Sequence, residues 1–257
     1  MKKSVYLWLC ALVLSIAGLS SCSSDDDTWC NETPINSLVI QSDKGEIPDG
    51  ALSQTTMEFT GNEWFMANAP LWGQGYVQEG NLKVMRNSLG AIEAVDYTDA
   101  PAEERPKTAA EFYERYYGEG VADYFRCTQH TEWDSGQHFE THDYYQQYYK
   151  DVIVKTDSRS FSFIDGLMVV GCCDYLPIKD FDVTPMFSKQ TAIEIFKSFM
   201  KLENYSENRC ELQIVRVPQG DSFGPRLAYE VRNGLEGLVI DANTGRALYK
   251  TYYDWGM

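Results

Sequence analysis

The sequence has only three histidines, His130, His138 and His142, and the spacing His-Glu-x-x-His occurs nowhere. That spacing sets two imidazoles one helical turn apart with a glutamate between them as general base, so peptide hydrolysis at a helical zinc site of this kind is excluded. Cys-x-x-Cys is missing too, which leaves a zinc ribbon or a dithiol redox site without its ligands. Basic residues are scarce: 22 Lys and Arg stand against 38 Asp and Glu, a formal net charge of −16. So acidic a body does not bind nucleic acid by releasing counterions from phosphates, and anionic lipid headgroups repel it. Past the first seventeen residues no apolar run reaches bilayer-spanning length. Nothing in the pattern calls for a cofactor.

What is present begins at the first residue. Lys2 and Lys3 precede an apolar stretch from Val5 to Ala17, which has the charge and length of a signal-peptide core. It ends in Leu19-Ser20-Ser21-Cys22, which resembles the bacterial lipobox. The resemblance implies cleavage before Cys22, lipidation of its sulfur, and a body tethered to the membrane by acyl chains whose buried CH₂ groups contribute about 0.8 kcal/mol each. Cleavage removes two lysines and no acid, taking the net charge from −16 to −18. Ser23-Ser24-Asp25-Asp26-Asp27 reads as a solvated tether. It also resembles the acidic export signal of Bacteroidota lipoproteins, which implies the outer face of the outer membrane.

Besides the lipidated Cys22, five cysteines remain in the mature chain: Cys30, Cys127, Cys172, Cys173 and Cys210. Outside the cytoplasm some of them can pair, but spacing does not fix connectivity, and Cys172 and Cys173 on one strand point to opposite faces. Aromatic residues make up 14% of the chain, ample for a core.

From about residue 33 to 97 short apolar pieces alternate with turn chemistry: Leu38 to Ile40, Met57 to Phe59, Trp64 to Met66, Leu82 to Met85 and Ala91 to Val95. This region is expected to be β-rich. Trp64, Trp72 and Tyr76 read as core aromatics first and as a carbohydrate-stacking platform second. A Pro- and Glu-rich break follows at residues 99–107, then Thr108-Ala109-Ala110-Glu111, a capping box that opens a short helix with Phe112 and Tyr116 on one face. After a polar stretch the pattern turns extended from His138 to about Val154, and Asp165-Gly166 marks a hairpin. Ser188 caps a second helix whose apolar positions Ala192, Ile193, Phe196, Phe199 and Met200 recur at helical spacing. Strands are expected at Glu211 to Val217, Leu227 to Arg232, Gly237 to Ile240 and Arg246 to Tyr253, with a type I′ turn at Asn233-Gly234.

Two stretches carry a family resemblance. Ser188-Lys-Gln-Thr-Ala192-Ile-Glu-Ile-Phe, Leu227-Ala-Tyr-Glu-Val-Arg232 and Asp241-Ala-Asn-Thr-Gly245 look like a PepSY domain. Thr108 to Tyr117, His138 to Val154, and Asp165-Gly166 leading to Asp174-Tyr175-Leu176-Pro177 are similar to an FTP domain. The two in tandem are the propeptide arrangement of thermolysin-like metallopeptidases, and they imply an α+β fold of antiparallel sheets each packed by a helix. The expected division is a signal at 1–21, a lipidated acidic tether at 22–32, a β-rich region at 33–104, an FTP-like unit at 105–185 and a PepSY-like unit at 186–257.

Other chemistry is weighed on three motifs. His138, Glu140 and His142 alternate, so on a strand they share a face and have the reach to hold a metal, whereas the FTP resemblance places a strand without cofactor there. Gly220-Asp221-Ser222-Phe223-Gly224 fits a nucleophile elbow, but no histidine lies beyond residue 142 to serve it. Cys127 and His130 form a thiol pair without a third orienting group. The expected function is therefore non-enzymatic: a membrane-anchored partner of a secreted or surface peptidase, inhibiting it or assisting its folding in trans. The alternative is a surface lipoprotein that binds glycan or peptide for nutrient capture.

Overall fold

The computed structural model describes residues 43–45, 47–59, 75–87, 90–155, 159–203, 209–219 and 222–252. Cys22, Cys30, Trp64 and Trp72, with the apolar pieces at 38–40 and 64–66, lie outside them. In chain order the elements are β1 (Val77–Glu79), β2 (Leu82–Arg86), β3 (Ile92–Asp96), α1 (Ala109–Tyr117), β4 (Phe125–Asp134), β5 (Phe139–Tyr149), β6 (Val152–Lys155), β7 (Arg159–Ile164), β8 (Leu167–Cys173), α2 (Lys189–Met200), β9 (Arg209–Gln219), β10 (Ser222–Asn233), β11 (Glu236–Asp241) and β12 (Ala247–Tyr252).

The expected α+β arrangement of separate antiparallel sheets, each packed by a helix, is not what forms. All the strands join in one 12-stranded mixed sheet, and the described residues hold only two α-helices. The join is a parallel pairing of β6 with β9, Ile153 to Gln213, Val154 to Ile214 and Lys155 to Val215, where two separate sheets would each have ended in an edge. Parallel neighbours need a long crossover, and here the chain between β6 and β9 supplies β7, β8 and α2.

β5 is the pivot of the sheet. β4 pairs along one edge of it, from Phe125 with Gln147 to Asp134 with Phe139. The other edge is shared end to end by β7, against residues 140–144, and β6, against residues 147–149. From β7 the sheet continues through β8, β3, β2 and β1, and from β6 through β9, β10, β11 and β12.

Local signals behave as chemistry dictates. Thr108 Oγ1 accepts from the Glu111 N–H at 3.1 Å, and Glu111 returns the bond to Lys107 N–H at 2.7 Å, one residue earlier than a regular capping box. Ser188 Oγ accepts from Thr191 N–H at 3.2 Å. Asp165 and Gly166 both take positive φ, the type I′ pattern. In the later hairpin Asn233 pairs with Glu236, and positive φ falls on Gly234 and not on Asn233, so the turn is type II′ rather than the expected I′.

Helix α2 buries Ala192, Ile195 and Phe196 against Ile214, Leu227 and Leu238 of the sheet. Ile193, assigned to the buried face, is only half-buried, and the fully buried neighbour is Ile195. Helix α1 packs Phe112 and Tyr113 against Phe125, Phe161 and Met168. Phe112 needs Gly171 beneath it, since a Cβ there would lie 2.7 Å from its ring. Residues ahead of β1 lie against the last hairpin: Gln54 Nε2 donates to Gly245 O at 2.6 Å, its Oε1 accepts from Ala247 N–H at 2.8 Å, and Ala51 joins the α2 core. Gly245 has φ +69, and a Cβ on it would come within 2.7 Å of the Ala51 methyl.

Candidate functional site

All three histidines sit on the β4–β5 ribbon or at its tip. A bulge between Cys127 and Gln129 shifts the register by one, so His130 and Glu132 share the sheet face on which Phe125 meets α1. Asp143, directly opposite His130, points the same way. His130 Nδ1 lies 2.5 Å from Asp143 Oδ1, and its Nε2 lies 2.9 Å from Glu132 Oε1. Glu132 and then Asp143 raise the His130 pKa above its ordinary value. Both ring nitrogens are engaged by carboxylates, which favours the protonated ring and leaves neither nitrogen turned to Cys127. The Cys127 thiol instead makes a hydrogen bond to Gln129 O at 3.4 Å.

The other histidines are drawn to separate partners. His138 Nδ1 lies 3.1 Å from Asp165 Oδ2 in the β7–β8 turn, and His142 Nδ1 lies 2.9 Å from Ser162 Oγ on β7. Asp165 has its pKa lowered, first by the backbone N–H of Phe139 and then by His138. Among the described residues no group of three or more His, Cys, Asp or Glu is placed to hold a metal, so the alternation of His138, Glu140 and His142 does not converge on a ligand. Ser222 opens strand β10, paired to Gln219, and no elbow leading into a helix is formed. Cys172 is half-buried while Cys173 on the opposite face is buried in the α1 core. Burial pushes the Cys210 thiol up to about 12, which makes it a poor nucleophile. Tyr76 is exposed.

Reading by apolar pattern passes over β4 altogether, because its residues past Phe125 are mostly polar and mostly exposed. It also passes over Trp133, 62% exposed on that strand. The one signal available is the turn chemistry of Asp134-Ser135-Gly136 ahead of β5.

His130 has a consequence for stability. Its folded pKa lies above the unfolded value of about 6.5, so its contribution is complete below that value and is lost as the pH rises through the higher folded one. Melting temperatures taken from about pH 6 to about pH 9 are expected to fall more steeply for the native chain than for His130→Gln. Parallel curves would remove the clamp from the account.

No family model matches the chain, and no curated protein matches it. Among solved structures it is similar to the Bacillus megaterium YpeB C-terminal domain at 14% identity, over 67% of this chain and 76% of that one, with a TM-score of 0.34. A likeness that loose is compatible with the PepSY-like reading and carries no argument for it.

Proposed function

We propose that the chain is a non-enzymatic surface protein of the propeptide type, anchored through lipid at Cys22, which engages a secreted or surface peptidase in trans and inhibits it or assists its folding. The observation that supports this reading is the joint between the FTP-like and PepSY-like segments. Val154 and Ile214, paired across β6 and β9, are fully buried. Gln147, also buried, donates to Leu176 O at 2.7 Å and accepts from Leu176 N–H at 3.1 Å. Arg216 grips Asp174 with two bonds of 2.6 and 3.0 Å. A surface fixed in this way meets a partner with little ordering cost, and recognition by shape and backbone bonds requires no catalytic group.

The body from Ser23 onward is expected to slow cleavage of a reporter by a secreted peptidase of the same organism while being recovered intact on a gel. Recovery as fragments would mean competition as a substrate, and no capture or slowing of any secreted peptidase would sink the reading. For the anchor, Cys22→Ala is expected to leave the membrane fraction or to remain unprocessed; a variant cleaved and anchored as before would refute lipidation.

A further inference from the structure

We propose that the outer edge of β4 docks an extended, lysine- or arginine-bearing polypeptide segment by strand addition. Among the described residues the only strand that pairs with β4 is β5. Thr128, Gln129 and every residue from Thr131 to Phe139 are exposed, so among the described residues nothing covers this edge.

The direction of its backbone groups follows from the ladder. Phe139 N–H donates to Asp165 Oδ1 at 3.1 Å, and Phe139 O accepts from Asp165 N–H at 2.9 Å, so Phe139 turns both groups toward β7 and away from β4. Backbone bonding alternates along an antiparallel pair. Asp134, opposite Phe139, is therefore a non-bonded position, and so are Glu132 and His130 in the same register. Their N–H and C=O groups point outward, while those of Trp133 and Thr131 are spent on β5.

Open edges are normally blunted by lysine, proline, a bulge or full coverage, and the bulge of β4 lies at Cys127–Gln129, ahead of the open groups. Here no lysine or proline lies within Phe125–Asp134, and Trp133 stands exposed beside the open groups as an apolar anchor. The surroundings select the occupant. Glu132 and Asp143 hold His130 between them, and Asp134 and Glu140 stand nearby on the ribbon, so four carboxylates are set against one imidazole. The one arginine of β4, Arg126, is committed to Asp151 at 2.6 Å. A second copy, at a net charge of −16, would bring like charge against like. A cationic strand instead gains main-chain bonds and charge complementarity together. The proposal concerns the edge alone and does not rest on the peptidase reading.

The test uses a blocked peptide of alternating lysine and threonine, and its counterpart with glutamate for every lysine, titrated into the full chain while the amide resonances of His130 and Asp134 are followed. The lysine peptide is expected to shift both resonances, and the glutamate peptide neither. Glu132→Pro and Glu132→Gln remove the same charge, but only proline removes the outward N–H. The proline variant should therefore bind about tenfold more weakly than the glutamine variant. Equal binding to the two variants, or resonance shifts confined to another surface, would overturn the proposal. A dimer of the full chain that Glu132→Pro dissociates would overturn it as well, by giving the edge to a second copy. Should the proline variant fail to fold, the shift map of the unaltered chain decides alone.

Discussion

Phe196→Ala is expected to lower the unfolding free energy by about 3 to 5 kcal/mol, the range for truncating a buried aromatic to a methyl. The side chain is fully buried, and α2 holds it with Ile195 against Ile214, Leu227 and Leu238. The loss has two parts: the transfer free energy of the ring, and the cavity that strands of a continuous sheet cannot collapse to fill. Ile193→Ala serves as the internal comparison. It sits on the same helix, makes the same kind of truncation at a half-buried position, and should cost clearly less. Chemical denaturation of the three proteins checks this. If Phe196→Ala unfolds at the midpoint of the native chain, the packing of α2 is wrong.

That helix also shows which parts of the molecule are written locally. Its start is legible because a serine oxygen is the natural acceptor for an orphan N–H, and its apolar stripe follows from the 3.6-residue period. Ile195 fits the same stripe, three residues after Ala192 and one before Phe196, and is passed over only because Ile193 competes for it. The Asp165-Gly166 hairpin is legible because positive φ at two adjacent positions selects those residue types. At Asn233-Gly234 the same rule finds the hairpin and misplaces its centre by one, since the ladder closes at Asn233 and Glu236.

The fold class is not written locally. Whether two sheets stay apart or merge depends on Val154 meeting Ile214, 60 positions later, and each of those residues would be equally content in the centre of its own sheet. Strand β4 escapes notice for the opposite reason: an exposed edge has no buried face and so leaves no apolar alternation. With β4 unread, the pairing of His130 with Glu132 and Asp143 is unreadable too. It requires the hairpin register and the bulge at Cys127 together, and a shift of one residue would turn His130 to the other face.

Asp174→Leu is expected to cost about 3 kcal/mol or more, although it replaces a charged residue by one that apolar surroundings tolerate. Arg216 on β9 and Asp174, just past β8, have side chains only 13% and 16% exposed, and both guanidinium bonds of the pair land on this carboxylate. A largely but not fully buried pair of this kind gains much of its apparent importance from what remains when one partner goes. The pair's own attraction is largely offset by the desolvation of both ions, but a lone guanidinium keeps its desolvation cost with nothing opposite it. The double variant Asp174→Leu with Arg216→Met should therefore recover most of the loss, in contrast to two independent sites, whose effects would add. The burial predicts weak screening as well, so raising the salt concentration should change the gap between native chain and single variant little. Denaturation midpoints for the two single variants and the double variant decide it. If the double variant is less stable than Asp174→Leu, Arg216 stabilises the fold even without its partner, and the account of a cation left unpaired fails.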